Sequence, residues 1–145
     1  MSAALRMAPE AGLGVLALTL WGEAAGRPVR AVEGVAAVVM RRVRLAAAPD
    51  GPRHLGQGVA GVCRAPFQFP CWHPDRAAGL RNPAIAGDPA FAMCQRIAAR
   101  ALAGALADPT GGATHYHAAE VLPRWAVGQV PAAELGGLVF YRLLG

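Results

Sequence analysis

Leu20-Trp21-Gly22-Glu23-Ala24-Ala25-Gly26-Arg27-Pro28 is the stretch on which the reading of this chain turns. Leu13, Leu16, Ala17 and Leu20 recur at the three- and four-residue spacing of one helical face, and Glu23 falls three residues after Leu20. The lone carboxylate therefore continues an apolar stripe and is expected to point inward or into a cleft. Burial disfavours the ionised form of a carboxyl, and the negative end of the helix dipole acts the same way, so Glu23 reads as a candidate general acid. The competing reading is a solvated last-turn residue or an ion-pair partner of Arg27. Gly22 and Gly26 flank Glu23, and their missing side chains leave room for something else to approach the backbone.

Outward from this stretch, Pro28 marks the first turn of a second helix, with Val32, Val35, Ala36, Val39, Met40 and Val43 on one face and arginines in its last turn. This helix is expected to pack against the first. Residues 48–61, rich in Pro and Gly, read as a surface loop that passes into a short helical turn at 59–63. Phe67, Phe69 and Trp72 then crowd into Pro66-Phe67-Gln68-Phe69-Pro70-Cys71-Trp72-His73-Pro74, where the prolines favour extended backbone. Asp88-Pro89 reads as an N-cap and first-turn pair opening a helix to about Leu106, with Phe91, Cys94, Ile97, Ala98 and Leu102 as apolar positions. After Asp108-Pro109-Thr110-Gly111-Gly112 the pattern changes. Thr114-His115-Tyr116-His117 alternates as a strand does, and Leu138-Val139-Phe140-Tyr141 forms a second such run. The expected fold is α+β, a helical lobe with a small antiparallel sheet, in a single domain over residues 1–145.

Charged residues make up 16% of the chain and the mean hydropathy is +0.32, yet no apolar run approaches the roughly eighteen residues that span a bilayer. Arg6 ahead of the apolar 13–20 stretch, with Ala24 and Ala25 behind it, imitates a secretory signal. Cleavage there would discard Glu23, so the chain is read as lacking an export signal. The net charge is +5 and every basic residue is arginine, with Arg41, Arg42 and Arg44 the only dense group. Such a surface suits an anionic polymer, nucleic acid or bacterial cell wall, and the sparse aromatics argue against nucleic acid. Cys63, Cys71 and Cys94 allow three alternative single disulfides, of which Cys71 with Cys94, tying the central loop to the following helix, is favoured. No CxxC pair suggests a zinc ribbon.

Three other constellations carry possible chemistry. His115 and His117, two apart on a strand, point to one side and could bind a metal with His73, but no carboxylate stands beside them; hydrogen bonding to substrate or to the fold is the simpler role. A Cys/His dyad can be drawn from Cys63 or Cys71, against which stands an ordinary core or disulfide cysteine. Trp21, Phe69, Trp72, Tyr116 and Trp125 suit a core, or a surface on which sugar rings stack. Gln68, between two aromatics, reads as a cleft contact or a turn residue.

Several of these segments together resemble the SleB/CwlJ-type, or spore-cortex-lytic, cell-wall hydrolases. The matching pieces are residues 20–28, the Val- and Ala-rich helix with Arg41 to Val43 near its end, Phe67-Gln68-Phe69 with Cys71-Trp72, residues 108–116, and Val139-Phe140-Tyr141. The resemblance implies a compact lysozyme- or transglycosylase-like domain cleaving the β-1,4 bond between N-acetylmuramic acid and N-acetylglucosamine, without a cofactor. Glu23 matches the family's catalytic glutamate. Gln68, Phe69, Trp72, His115, Tyr116, His117 and Trp125 become candidate contacts to glycan strands. A conventional glycosidase needs a second carboxylate, and Glu33, Asp75 and Glu120 are poor candidates, which favours a lytic transglycosylase using Glu23 alone. The chain departs from the family at His115-Tyr116-His117-Ala118, where an aromatic followed by Asn-Pro is common, and at Gly136-Gly137-Leu138. It also lacks the peptidoglycan-binding module of many spore enzymes. A phage-like particle or cell lysis is the expected route to the wall. The rival readings are a non-catalytic wall- or partner-binding module and a zinc amidase or peptidase.

Overall fold

The stripe that ends at Glu23 lies on α1, Ala3–Ala24, in a computed structural model that describes residues 3–144 and the side-chain surroundings from Gly12 onward. The Arg6 end of the signal-like pattern falls outside the described side chains. Leu16, Ala17, Leu20 and Ala24 on α1 are buried, as a 3.6-residue period requires. α1 packs against α2 (Val29–Ala47), the short α3 (Gly58–Arg64) and α4 (Pro89–Leu102). Among the described residues no helix is long and apolar enough to cross a membrane.

The expected stripe on α2 is there, but Ala31, Gly34, Ala37 and Val38 are buried as well. α1, α3, α4 and the sheet all reach α2, and its small residues let them approach from several sides. Two charged groups go inside with it. Glu33 meets Arg100 at 3.3 Å and Arg30 at 3.7 Å, and Arg42 is 5% exposed.

Asp88 caps α4 by accepting the Ala90 N–H at 2.9 Å, with Pro89 in the first turn. The helix stops at Leu102, four residues short of the expected end. Gly104 takes φ +71, its N–H bonds Ala101 O at 3.1 Å, and the Ala105 N–H bonds Arg100 O at 2.9 Å. This pair of bonds is the Schellman closure of a helix, set by a glycine at the left-handed position.

The sheet comprises β1 (His115–Ala118), β2 (Ala133–Leu135) and β3 (Leu138–Tyr141), in the order β1-β3-β2, all antiparallel. Leu138 and Phe140 join the helical core, while Val139 and Tyr141 close a second cluster with Ala126. Register carries that division onto β1. Tyr116 pairs with Phe140, whereas His115 pairs with Tyr141 and His117 with Val139. Tyr116 therefore faces the helices and the two histidines face away.

The expected Cys71 to Cys94 bond is not formed: Cys63, Cys71 and Cys94 are free and buried. Cys71 packs on α1 at Gly22, and Cys94 is held in α4 within the core. Burial raises Cys63 and Cys94 to about 11 and Cys71 further still. Their thiols stay protonated near neutral pH, which argues against a cysteine nucleophile.

Candidate active site

Glu23 sits half-buried in the last turn of α1, and both of its oxygens accept a hydrogen bond. The Cys71 backbone N–H donates to Oε2 at 3.0 Å, and the Tyr116 hydroxyl donates to Oε1 in a short contact. One carboxyl thus joins three elements: α1, the 3-10 turn Pro70–Trp72 and β1. Gly22 makes the first junction possible, since a Cβ there would lie 2.6 Å from Cys71 Cβ. Thr19, one turn earlier on α1, accepts the Trp72 indole N–H at 2.8 Å, and Trp21 donates to Asp88 at 2.9 Å. The end of α1 is therefore tied to the central loop and to the start of α4. Arg27 is not a partner of Glu23; it bonds Gly136 O at 3.3 Å and meets Glu120 at 3.5 Å.

Behind the carboxyl lies Arg42, which is not among the expected site residues although it follows Val35 and Val39 on the buried face of α2. Its Nε donates to Thr114 O at 2.9 Å, one Nη donates to Gln68 Oε1 at 3.1 Å, and its guanidinium stands 4.9 Å from the Phe69 ring centre. Burial lowers the Arg42 pKa, while the nearby Tyr116 and Glu23 act to raise it. Tyr116 is held well above its ordinary value, first by burial and then by the charge and hydrogen bond of Glu23, so it remains a phenol. A hydroxyl in that place can donate to the carboxylate or turn to accept from the protonated acid.

The loop leading to β1 is organised by Asp108, whose carboxylate accepts from Thr110 N, Thr110 Oγ1 and Gly112 N at 2.7, 2.6 and 2.8 Å. Burial alone would raise Asp108, but these bonds and Arg44 hold it below the ordinary range. The loop delivers Thr114 O to Arg42 and Tyr116 to Glu23.

Of the candidate contacts the structure brings Tyr116 to Glu23, while Gln68 and Phe69 meet Arg42 behind it. Phe69 is buried, 6.5 Å from the Tyr116 ring, so it supports the site and offers no free face. Trp72 is half-buried, with the Arg64 guanidinium 5.0 Å from its ring centre. His115, His117 and Trp125 gather on the opposite face of the sheet. There Trp125 lies 5.4 Å from His115 and 5.7 Å from His117, and His117 Nε2 is 2.8 Å from the Tyr141 hydroxyl. Burial, with Arg42 and His54, pushes His115 down to about 4. Of the other candidate acids, Glu33 meets Arg30 and Arg100, Glu120 meets Arg27, and the exposed Asp75 lies 3.5 Å from His73 Nδ1. A concavity of about 810 Å³ is lined by residues of the 64–76 segment, among them Arg64, Phe69, Pro70, Trp72 and Arg76. Neither Glu23 nor Tyr116 lines it; Pro70 and Trp72 on its lining flank Cys71, whose N–H bonds Glu23.

A family model described as cell wall hydrolase matches residues 26–141 of the chain. Among solved structures, the catalytic domain of the Bacillus cereus SleB protein is similar, with a TM-score of 0.63 and 22% identity over 92% of this chain and 91% of that one. The catalytic domain of the germination-specific lytic transglycosylase SleB from Bacillus anthracis gives a TM-score of 0.67 and 23% identity, over 90% of this chain and 93% of that one. Both share the fold. No curated protein matches the chain.

Proposed function

Since the chain belongs to the cell wall hydrolase family, we propose that it cleaves the glycan strands of peptidoglycan at the β-1,4 bond between N-acetylmuramic acid and N-acetylglucosamine, as a lytic transglycosylase with Glu23 as its acid and base. The matched residues begin three positions past Glu23, so its role rests on geometry. The observation that carries it is one carboxyl positioned by a backbone N–H and a phenol, while Glu33 and Glu120 are paired to arginines elsewhere. The similar fold of the Bacillus anthracis lytic transglycosylase SleB agrees with this reading.

Protonated Glu23 gives its proton to the glycosidic oxygen as the bond to C1 breaks and an oxocarbenium-like centre develops. The resulting carboxylate takes the proton of the muramic 6-hydroxyl, whose oxygen closes on C1 to leave a 1,6-anhydro end. Through this cycle Cys71 N–H fixes Oε2, and the Tyr116 hydroxyl reorients as the proton leaves and returns. Delivery by a phage-like particle finds no support in the fold or the family. Mass spectrometry of peptidoglycan digested by the purified protein tests the chemistry. Anhydro-muramyl ends are expected; reducing ends would assign the attack to water, and freed stem peptides would replace the glycosidase with an amidase.

A further inference from the structure

Phe67 combines two features that stability does not explain: it is 97% exposed and its φ is +65. Ala65, Pro66, Phe67 and Gln68 form a turn closed by the Gln68 N–H on Ala65 O at 3.2 Å, with proline second and the positive φ third. That third position favours glycine, and a bulky side chain there is strained. Among the described residues nothing packs on the ring to offset the strain, which leaves a use in solution as the reason for an aromatic at this point.

The ring stands on the wall of the 810 Å³ concavity, with Arg64, Pro70, Trp72 and Arg76 on the same lining. Against these two arginines the lining carries one carboxylate, the exposed Asp75. The lining is thus mostly apolar, with two arginines against one carboxylate, which suits a ligand carrying small apolar groups and free carboxylates. Pro70 and Trp72 on its lining flank Cys71, whose N–H holds Glu23, so the concavity and the acid share one turn of chain.

We propose that this concavity is a subsite for the anionic stem peptide of the muramyl residue, with Phe67 as its stacking face and Arg64 and Arg76 as its carboxylate anchors. The proposal rests on the peptidoglycan-cleaving reading above. It makes the enzyme prefer glycan that still bears peptides.

The test compares kcat/KM for intact sacculi with that for sacculi stripped of stem peptides by an amidase. The wild type is expected to favour the intact substrate roughly tenfold, the scale of one ring face plus a screened ion pair. Phe67→Gly and the double variant Arg64→Gln/Arg76→Gln should bring that ratio toward one, and Phe67→Trp should restore it. Glycine occupies φ +65 without strain, so Phe67→Gly should melt at the wild-type temperature or above. A wild-type ratio of one, or a ratio that Phe67→Gly leaves intact, overturns the subsite alone. A Phe67→Gly protein that fails to fold would make the ring structural and overturn it too. A wild type that cleaves neither substrate overturns the glycosidase reading along with it.

Discussion

Replacing Gly22 by Ala puts a methyl carbon 2.6 Å from Cys71 Cβ, 3.0 Å from its Sγ and 3.2 Å from Leu80 Cδ2. Carbon atoms pack best at roughly 3.5–4.0 Å, so the 70–72 turn must retreat by about 1 Å. The Cys71 N–H lies 3.0 Å from Glu23 Oε2, and that retreat carries it to about 4 Å, beyond a hydrogen bond. Two stability effects oppose each other. Alanine gains up to ~1 kcal/mol of helix propensity, and overpacking costs ~1–3 kcal/mol, for a net loss of about 0–2 kcal/mol. The loss of rate should be much larger, about a hundredfold, because a misplacement near 1 Å at a reacting group costs on that order. Initial rates of muropeptide release, set beside a thermal melt, separate the two. Adding Cys71→Gly removes the opposing Cβ and should recover much of the rate. A folded Gly22→Ala protein with wild-type turnover would show that the turn does not position Glu23.

Two further outcomes follow from the buried charge and the buried thiols. Arg42→Lys keeps the charge but not the fork that serves Thr114 O and Gln68 Oε1 together, so it should cost about 2–3 kcal/mol and roughly tenfold in activity, while exposed Arg44→Lys changes neither; a neutral Arg42→Lys in melts and rates would refute this. Cys63 and Cys94 titrate at about 11 in the fold against an ordinary 9.0, so their contribution is complete below about pH 9 and is lost as pH rises toward 11, at ~1.4 kcal/mol per pH unit for each thiol. Denaturant melts across that range should show the fall. In the same preparation three thiols should react with an alkylating reagent only after unfolding; two unreactive thiols released by reductant would restore a disulfide.

The helices were legible because apolar spacing is a local property. The stripe to Leu20 and the Asp88-Pro89 cap each announce a boundary within a few residues, and the structure keeps both. The end of α4 was hidden by Leu102-Ala103-Gly104-Ala105-Leu106, whose apolar run reads straight through the glycine that stops it. β2 had no signature of its own, since Ala133-Glu134-Leu135 becomes a strand only by pairing with β3. Alternation already separated Tyr116 from His115 and His117, but which face meets the helices depends on the partner strand. Arg42 was available to the same reasoning that found Glu23, for it too continues a buried stripe. Its partners, however, lie 26 and 72 residues away and appear only in the fold. Cysteine spacing could not reveal that each thiol is buried against different neighbours.

The central claim is that Glu23 is the group that moves the proton. Glu23→Gln keeps the side-chain shape and an oxygen to accept the Cys71 N–H or the Tyr116 hydroxyl, so the fold should survive. The measurement is muropeptide release from purified sacculi by Glu23→Gln protein whose melt matches the wild type. The expected result is no release above background under conditions where the wild type digests the wall; release at the wild-type rate would contradict the account.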